Sequence, residues 1–373
     1  MRKINIVVGP KSFFELKIQD SMENADYFLD LVKLHDNYQN AKMVFPTDKK
    51  SSLLIVKNDS YLGITEQAND RIGPLIFDIT TEDSIIYIHN PSSNLISFIN
   101  NQKSLGHIEV NIEKYQYDIC RNKKTYIEGI ASIRNNIIGQ DSAIIEISKT
   151  LKYLTSVKRQ KPYVVMLYGN SSIGKPEMVR EIAKSFFDNK FYEQHLSMYK
   201  SGVNQEYIFG DKPNRRSIGF DLLERESNLV FLDEIDKCLD FFHSVFYTLF
   251  DNTVFKDAVY DVDVSGILIV LTSNYLTEDE IKEKLGLPIY YRIDKFIHFQ
   301  DFDKETIYAI TKKEISGRKK EYEKYFTEQE IYNVVSKRIL INGENARTIK
   351  NKIQAVIEEL VFEKYLKDEN VDE

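Results

Sequence analysis

The residues with the clearest chemical purpose lie near the middle of the chain. Gly169, Asn170, Ser171, Ser172, Ile173, Gly174, Lys175, Pro176 and Glu177 follow an apolar run, Val164 to Tyr168, and open an amphipathic stretch. Glycine lets the backbone turn tightly and approach an anion closely. The helix that follows aims unpaired N–H groups at that anion, and the Lys175 ammonium adds a full positive charge. Strand, glycine-bracketed loop, lysine and helix together predict a phosphate seat. Further on, the apolar run Leu229 to Leu232 ends in Asp233 and Glu234, so a second strand delivers two carboxylates at its C-terminal end. Ligands of parallel sheets bind at that edge. Asp233 suits Mg²⁺ held through water, and Glu234 suits orienting and activating an attacking water. A third run, Gly266 to Thr272, leads to Asn274, which is placed to position that water. The chemistry expected is binding and hydrolysis of a nucleoside triphosphate.

Position 176 departs from the pattern, which asks for Ser or Thr after the lysine. Proline supplies neither the metal-ligating hydroxyl nor the backbone N–H that donates to a phosphate. It is tolerated in a first helical turn, so the fold need not suffer. Losing one charge-assisted donor costs roughly 1.5–3 kcal/mol, a ten- to hundredfold weakening. Binding is therefore expected with slow hydrolysis.

With these motifs in order, the chain resembles an AAA+ ATPase module, closest to the Clp-type unfoldase branch, over about Ile133 to Leu366. Ile137, Ile138, Gly139 and Gln140 resemble the branch's entry to the nucleotide pocket. Gly174 to Glu177 match its Walker A end except at Pro176, and Asp233 to Lys237 resemble its Walker B segment. Thr272 to Asn274 resemble sensor 1, Tyr291 to Asp294 the arginine-finger stretch, and Asn345 to Arg347 sensor 2. The resemblance implies ATP and Mg²⁺ as cofactors, with Ile138 beside the nucleotide. It implies that Arg292 reaches a neighbouring subunit's site and that Arg347 contacts nucleotide from the chain's own lid. Catalysis would then need a ring, expected to be a hexamer, acting on a protein partner. The pattern fails between the Walker segments, where Tyr207 to Phe220 replaces an aromatic pore loop with a shorter, basic tip at Lys212, Arg215 and Arg216. Threading is in doubt there, and an acidic partner, nucleic acid or solvent could face those charges. A nucleotide-gated scaffold or sensor in stress or phage defence, and a nucleic-acid motor or loader, are the alternative readings.

Composition narrows the classes. The 373 residues carry 50 Lys+Arg against 57 Asp+Glu, a net charge of −7, which removes the bulk electrostatic case for nucleic-acid binding. Hydrophobic residues make up 42% and aromatics 12%, a packed globular composition rather than a disordered one. Cys120 and Cys238 lie far apart with no metal spacing, so a reducing, cytoplasmic setting is expected, and no apolar run reaches the ~20 residues of a membrane helix.

The elements that must position the site follow. Residues 1–128 read as a separate α+β domain of partner-recognition type, with strands at Ile4 to Val8, Leu53 to Val56, Leu75 to Ile79, Ile85 to Ile88 and Ile108 to Ile112 and a helix near Tyr27 to Leu34. Residues 129–300 read as an α/β P-loop NTPase domain, a parallel sheet with helices on both faces. Helical spacing over Thr306 to Tyr325, Glu328 to Ile339 and Ala346 to Leu366 makes 301–366 an all-helical lid, and 367–373 an acidic tail. Phe241, Phe242, Phe246, Tyr247 and Phe250 share helical spacing and read as core.

Overall fold

The computed structural model describes the chain except residues 118, 120–122, 200–204, 211, 213, 240, 241, 340–342 and 370–373. Its N-terminal unit runs β1 (Arg2–Val8), α1 (Lys11–Ile18), β2 (Asp26–Tyr27), α2 (Phe28–Asn40), β3 (Ser51–Val56), α3 (Glu66–Asp70), α4 (Ile72–Asp78), β4 (Thr80–His89), α5 (Ser93–Ser104) and β5 (Ile108–Lys114). The five strands form one sheet in the order β2-β3-β4-β1-β5, every pairing parallel. This corrects the α+β expectation, because helices alternate with parallel strands and cover both faces. Alternation along β1 explains the covering: Ile4 and Ile6 enter one core with Leu54, Ile86 and Ile88, while Val7 joins Phe14, Ile18 and Ile55 on the other side. The strand expected at Leu75 to Ile79 is helix α4 instead. Ile72 and Ile76 are its buried pair, four residues apart, and a short apolar run does not by itself separate helix from strand.

A connection of a few residues leads to α6 (Lys123–Asn136), α7 (Asp141–Ser156), β6 (Tyr163–Tyr168), α8 (Lys175–Phe186) and β7 (Tyr192–His195). Then come α9 (Gln205–Phe209), α10 (Ile218–Leu223), β8 (Leu229–Asp233), α11 (His243–Asp251), β9 (Val254–Lys256), β10 (Asp261–Asp263), β11 (Leu268–Thr272), α12 (Glu278–Tyr290) and β12 (Lys295–His298). Helix α6 passes unbroken through the boundary expected at residue 128. Its Ile133 packs into the second unit's core. The central sheet has the order β12-β6-β11-β8-β7 and is all parallel. Val164 and Met166 face one core and Val165 and Leu167 the other, which is why β6 reads as a continuous apolar run. Strands β9 and β10 pair as a separate antiparallel hairpin.

The remaining helices are α13 (Lys304–Gly317), α14 (Lys319–Tyr322), α15 (Glu328–Arg338) and α16 (Ala346–Glu369). They enclose a third core containing Ile307, Ile315, Tyr322, Ile331, Ile349 and Val356. The helix expected over Thr306 to Tyr325 is two, separated at Arg318, whose guanidinium pairs with Glu314. Helix α16 continues to Glu369, beyond the expected end at Leu366. Of the aromatic set, Phe242, Phe246 and Phe250 are buried as expected and Tyr247 is partly buried; Phe241 lies outside the described residues, as do Cys120 and the last four residues of the tail. Among the described residues, no helix is long and apolar enough to cross a membrane.

Candidate functional site

The C-terminal ends of β6, β8 and β11 meet the start of α8 around a cavity of about 270 Å³. Three positive-φ residues shape the loop beside it, Gly169, Ser172 and Gly174, of which Ser172 has φ +62°. Gly169 has φ +133°, and a Cβ there would lie 2.4 Å from the Phe299 carbonyl oxygen; Gly174 has φ +100° and caps α8. A side chain at Gly169 would therefore be both strained and in collision. Ile173 is buried in the core rather than presented to a ligand, and its carbonyl oxygen accepts from Gln140 Nε2 at 3.3 Å. Asn170 is held outward by Asp301, 2.7 Å away. Ser171, Ser172, Lys175, Pro176 and Glu177 line the cavity itself.

Lys175 is the central cation. It is 4% exposed, and its Nζ donates to the carbonyl oxygens of Gly169 (2.7 Å) and Asn170 (2.6 Å) and lies 3.4 Å from Asn274 Oδ1. Burial lowers its pKa to about 8, with Asp236 and Asp233 acting in the opposite direction. The short β8 strand brings Asp233 and Glu234 to the same opening. Thr272 Oγ1 donates to Asp233 and accepts from the Glu234 backbone N–H at 3.0 Å, so one hydroxyl on β11 joins both acids. Glu234 holds φ +58°, a left-handed conformation costly for a residue with a Cβ. Asn274 Nδ2 donates to Asp236 Oδ2 at 3.3 Å, which also receives Lys237 at 2.8 Å. The other Asp236 oxygen is buried with no hydrogen-bond partner.

The helical unit closes one side. Ala346 N–H, at the start of α16, donates to the Ser172 carbonyl oxygen at 2.9 Å, which brings Arg347 and Lys350 into the cavity wall. Arg292 does not line it. Its guanidinium donates to the Pro288 carbonyl oxygen at 2.7 Å, stacks 5.0 Å from the Tyr247 ring and faces Asp251. Ile138 does not line the cavity either, whereas nearby Gln140 ties Ile173 to Gln300.

Sequence reasoning missed His195, whose Nδ1 lies 3.1 Å from Asp233 Oδ2, together with Asp236, Thr272 and Lys350. Thr272 and Asp236 stand inside motifs already singled out, and Lys350 follows Arg347 by one helical turn. His195 had no local signal, because it arrives from the edge strand β7. The basic tip is internally neutralised: Lys212 lies 3.6 Å from Glu66, Arg215 pairs with Glu206, and Arg216 lies 3.4 Å from Asp221.

Comparison with known proteins follows the same outline. The family model for the AAA domain (Cdc48 subfamily) matches residues 160–329. The chaperone protein ClpB of Malacoplasma penetrans is 24% identical over 267 residues, 64% of this chain and 38% of that protein. The AAA+ ATPase ClpV1 of Pseudomonas aeruginosa is 29% identical over 162 residues, 39% of this chain and 18% of that protein. The chloroplastic chaperone protein ClpD1 of Oryza sativa is 24% identical over 230 residues, 50% of this chain and 24% of that protein. The matches thus span between about a fifth and two fifths of these relatives' lengths. The chain is thus similar to AAA+ ATPases of the Clp branch, with the family match lying in residues 160–329.

Proposed function

We propose that the chain binds ATP with Mg²⁺ between the central sheet and α16, hydrolyses it slowly, and works as a ring, a hexamer by resemblance, that remodels a protein partner selected by the N-terminal unit. The observation that carries this reading is the convergence of Lys175, Asp233, Asn274 and Arg347 on one cavity from four separate elements. The donor set suits a Mg²⁺ ion that keeps most of its water. Such an ion is commonly held by one or two carboxylates plus substrate phosphates, and Asp233, 14% exposed, is the available ligand. When bound, the ion would neutralise phosphate charge. Pro176 provides no hydroxyl to help, so its retention rests on Asp233 and the phosphates.

The chain's own groups have separable tasks. Lys175 exchanges two backbone carbonyls for the terminal phosphates, a change of partners that strengthens its pairing. Glu234, fixed through its N–H by Thr272, orients the attacking water and takes its proton. Asn274 holds that water from the end of the adjacent strand β11, and Arg347 brings positive charge from the helical unit. Arg292 would serve the neighbouring subunit after leaving Tyr247 and Asp251. A nucleic-acid motor is not favoured, because Lys212, Arg215 and Arg216 already face carboxylates of their own chain. Titration calorimetry with MgATP, run beside a phosphate-release assay, tests the reading. Uptake near one equivalent per chain with slow release is expected; no uptake at millimolar nucleotide would sink it.

A further inference from the structure

The N-terminal and central sheets have one topology. Numbered within each unit, both run 2-3-4-1-5 with every strand parallel. Their details also coincide. Gly9 (φ +142°) follows β1 as Gly169 (φ +133°) follows β6. Tyr115 N–H donates to the Val8 carbonyl oxygen and Phe299 N–H to that of Tyr168, each at 2.8 Å. Carrying the strand registers across, Lys57 and Asn58 stand where the central unit has Asp233 and Glu234, and His89 stands where it has Thr272. The difference is the loop. Five residues, 170–174, separate Gly169 from α8, but Pro10 alone separates Gly9 from α1.

At the corresponding edge of the N-terminal sheet, Phe220 and Glu224 of the central unit face Lys11, Lys57 and His89 around a cavity of about 150 Å³. Glu224, just past α10, is 22% exposed; its Oε1 accepts from Asn58 Nδ2 at 2.8 Å and lies 3.7 Å from His89 Nδ1. Burial raises its pKa, opposed by the Asn58 side chain, the Lys11 backbone N–H at the start of α1 and the Asn90 side chain. Burial also lowers His89 to about 4, so the imidazole is neutral and adds no ion pair at neutral pH. Flanking contacts close the same face: Ser12 Oγ donates to Glu226 at 2.8 Å, and Ser93 N–H to the Val259 carbonyl oxygen at 2.9 Å.

We infer that the N-terminal unit is a second, degenerate copy of the nucleotide-binding sheet, that the carboxylate of Glu224 takes the place a phosphate would fill at the start of α1, and that the unit clamps the 214–226 segment instead of binding nucleotide. An anion at a helix N-terminus needs donors and gains from the dipole, and a carboxylate meets both conditions. The clamp also accounts for the divergence of this region from a threading loop, since Lys212 is paired across the interface with Glu66.

The test uses the full chain. Hydrogen exchange without nucleotide would compare the parent with Asn58→Asp, Glu224→Gln and the double variant. Asn58→Asp sets two carboxylates against each other and is expected to raise exchange roughly tenfold or more in both 9–18 and 214–226. The double variant restores a donor and acceptor with their places exchanged, and should return both segments to within about twofold of the parent. Residues 164–186 should stay protected throughout, which separates an opened clamp from a misfolded chain. An exchange rise confined to the mutated side, or failure of the double variant to rescue, would overturn the proposal. So would a second equivalent of ATPγS retained by Lys175→Ala and lost on adding Lys11→Ala.

Discussion

The N-terminal and central sheets follow the same strand order, yet one edge opens into a cavity of about 270 Å³ ringed by Lys175, Asp233 and Asn274, while the other meets Glu224 around a smaller cavity of about 150 Å³. The strands of both are parallel, and the first strand of each feeds cores on both faces, so the sheet is not what distinguishes them. Loop length and the residues at two strand ends do. A five-residue loop leaves room for an anion at the mouth of α8, whereas a single proline brings α1 directly onto Gly9. Fold therefore sets where a ligand could sit, and the side chains at that place decide whether one does.

The comparison can be broken most directly at the acids. Glu234→Gln should lower phosphate release about a hundred- to a thousandfold while ATP affinity stays within about threefold, measured by single-turnover assay and calorimetry. The matching change in the N-terminal unit, Asn58→Ala, should leave the chemical step within about threefold; equal losses from both would mean that the two edges are not functionally distinct. Next in size are the lysines. Lys175→Ala should weaken ATP binding roughly a hundredfold or more, and Lys11→Ala by less than about twofold. Pro176→Thr restores a hydroxyl and an N–H, and should tighten Mg²⁺-dependent ATP binding about tenfold; identical metal dependence in parent and variant would show that position 176 is not part of the metal's surroundings.

A further effect concerns pH. In the free protein Lys175 loses its proton near 8, because burial disfavours the ammonium. Phosphate binds the protonated form, so affinity should fall by up to about tenfold per pH unit above 8, and binding there should take up a proton. Calorimetry in buffers of different ionisation heat reads that proton. A flat affinity from pH 7 to 9.5 would remove the buried ammonium from the account.

The central site was legible because its signals are local. Gly169 to Lys175 is one loop and Leu229 to Glu234 one strand end, so spacing and apolar runs suffice to find them. What joins them was not local. His195 reaches Asp233 from β7, and Thr272 links both acids from β11, contacts that exist only once the sheet has its order. The N-terminal unit was misread for a related reason. Its short strands and the helix at Ile72–Asp78 give ambiguous periodicity, and Gly9 with Pro10 and Lys11 is too brief to register as a phosphate loop. Its parallel character follows from pairings such as Ile4 with Ile86, which span about eighty residues of chain and leave no mark in a window.

The brevity of the turn at Pro10 has a consequence for evolution in either direction. Substitutions alone do not lengthen a chain, so variant libraries built from point changes keep a single residue between Gly9 and α1, whatever residues they sample there. Recovering a phosphate seat would take an insertion of several codons between Gly9 and Lys11 together with eviction of Glu224, two rare events that must coincide.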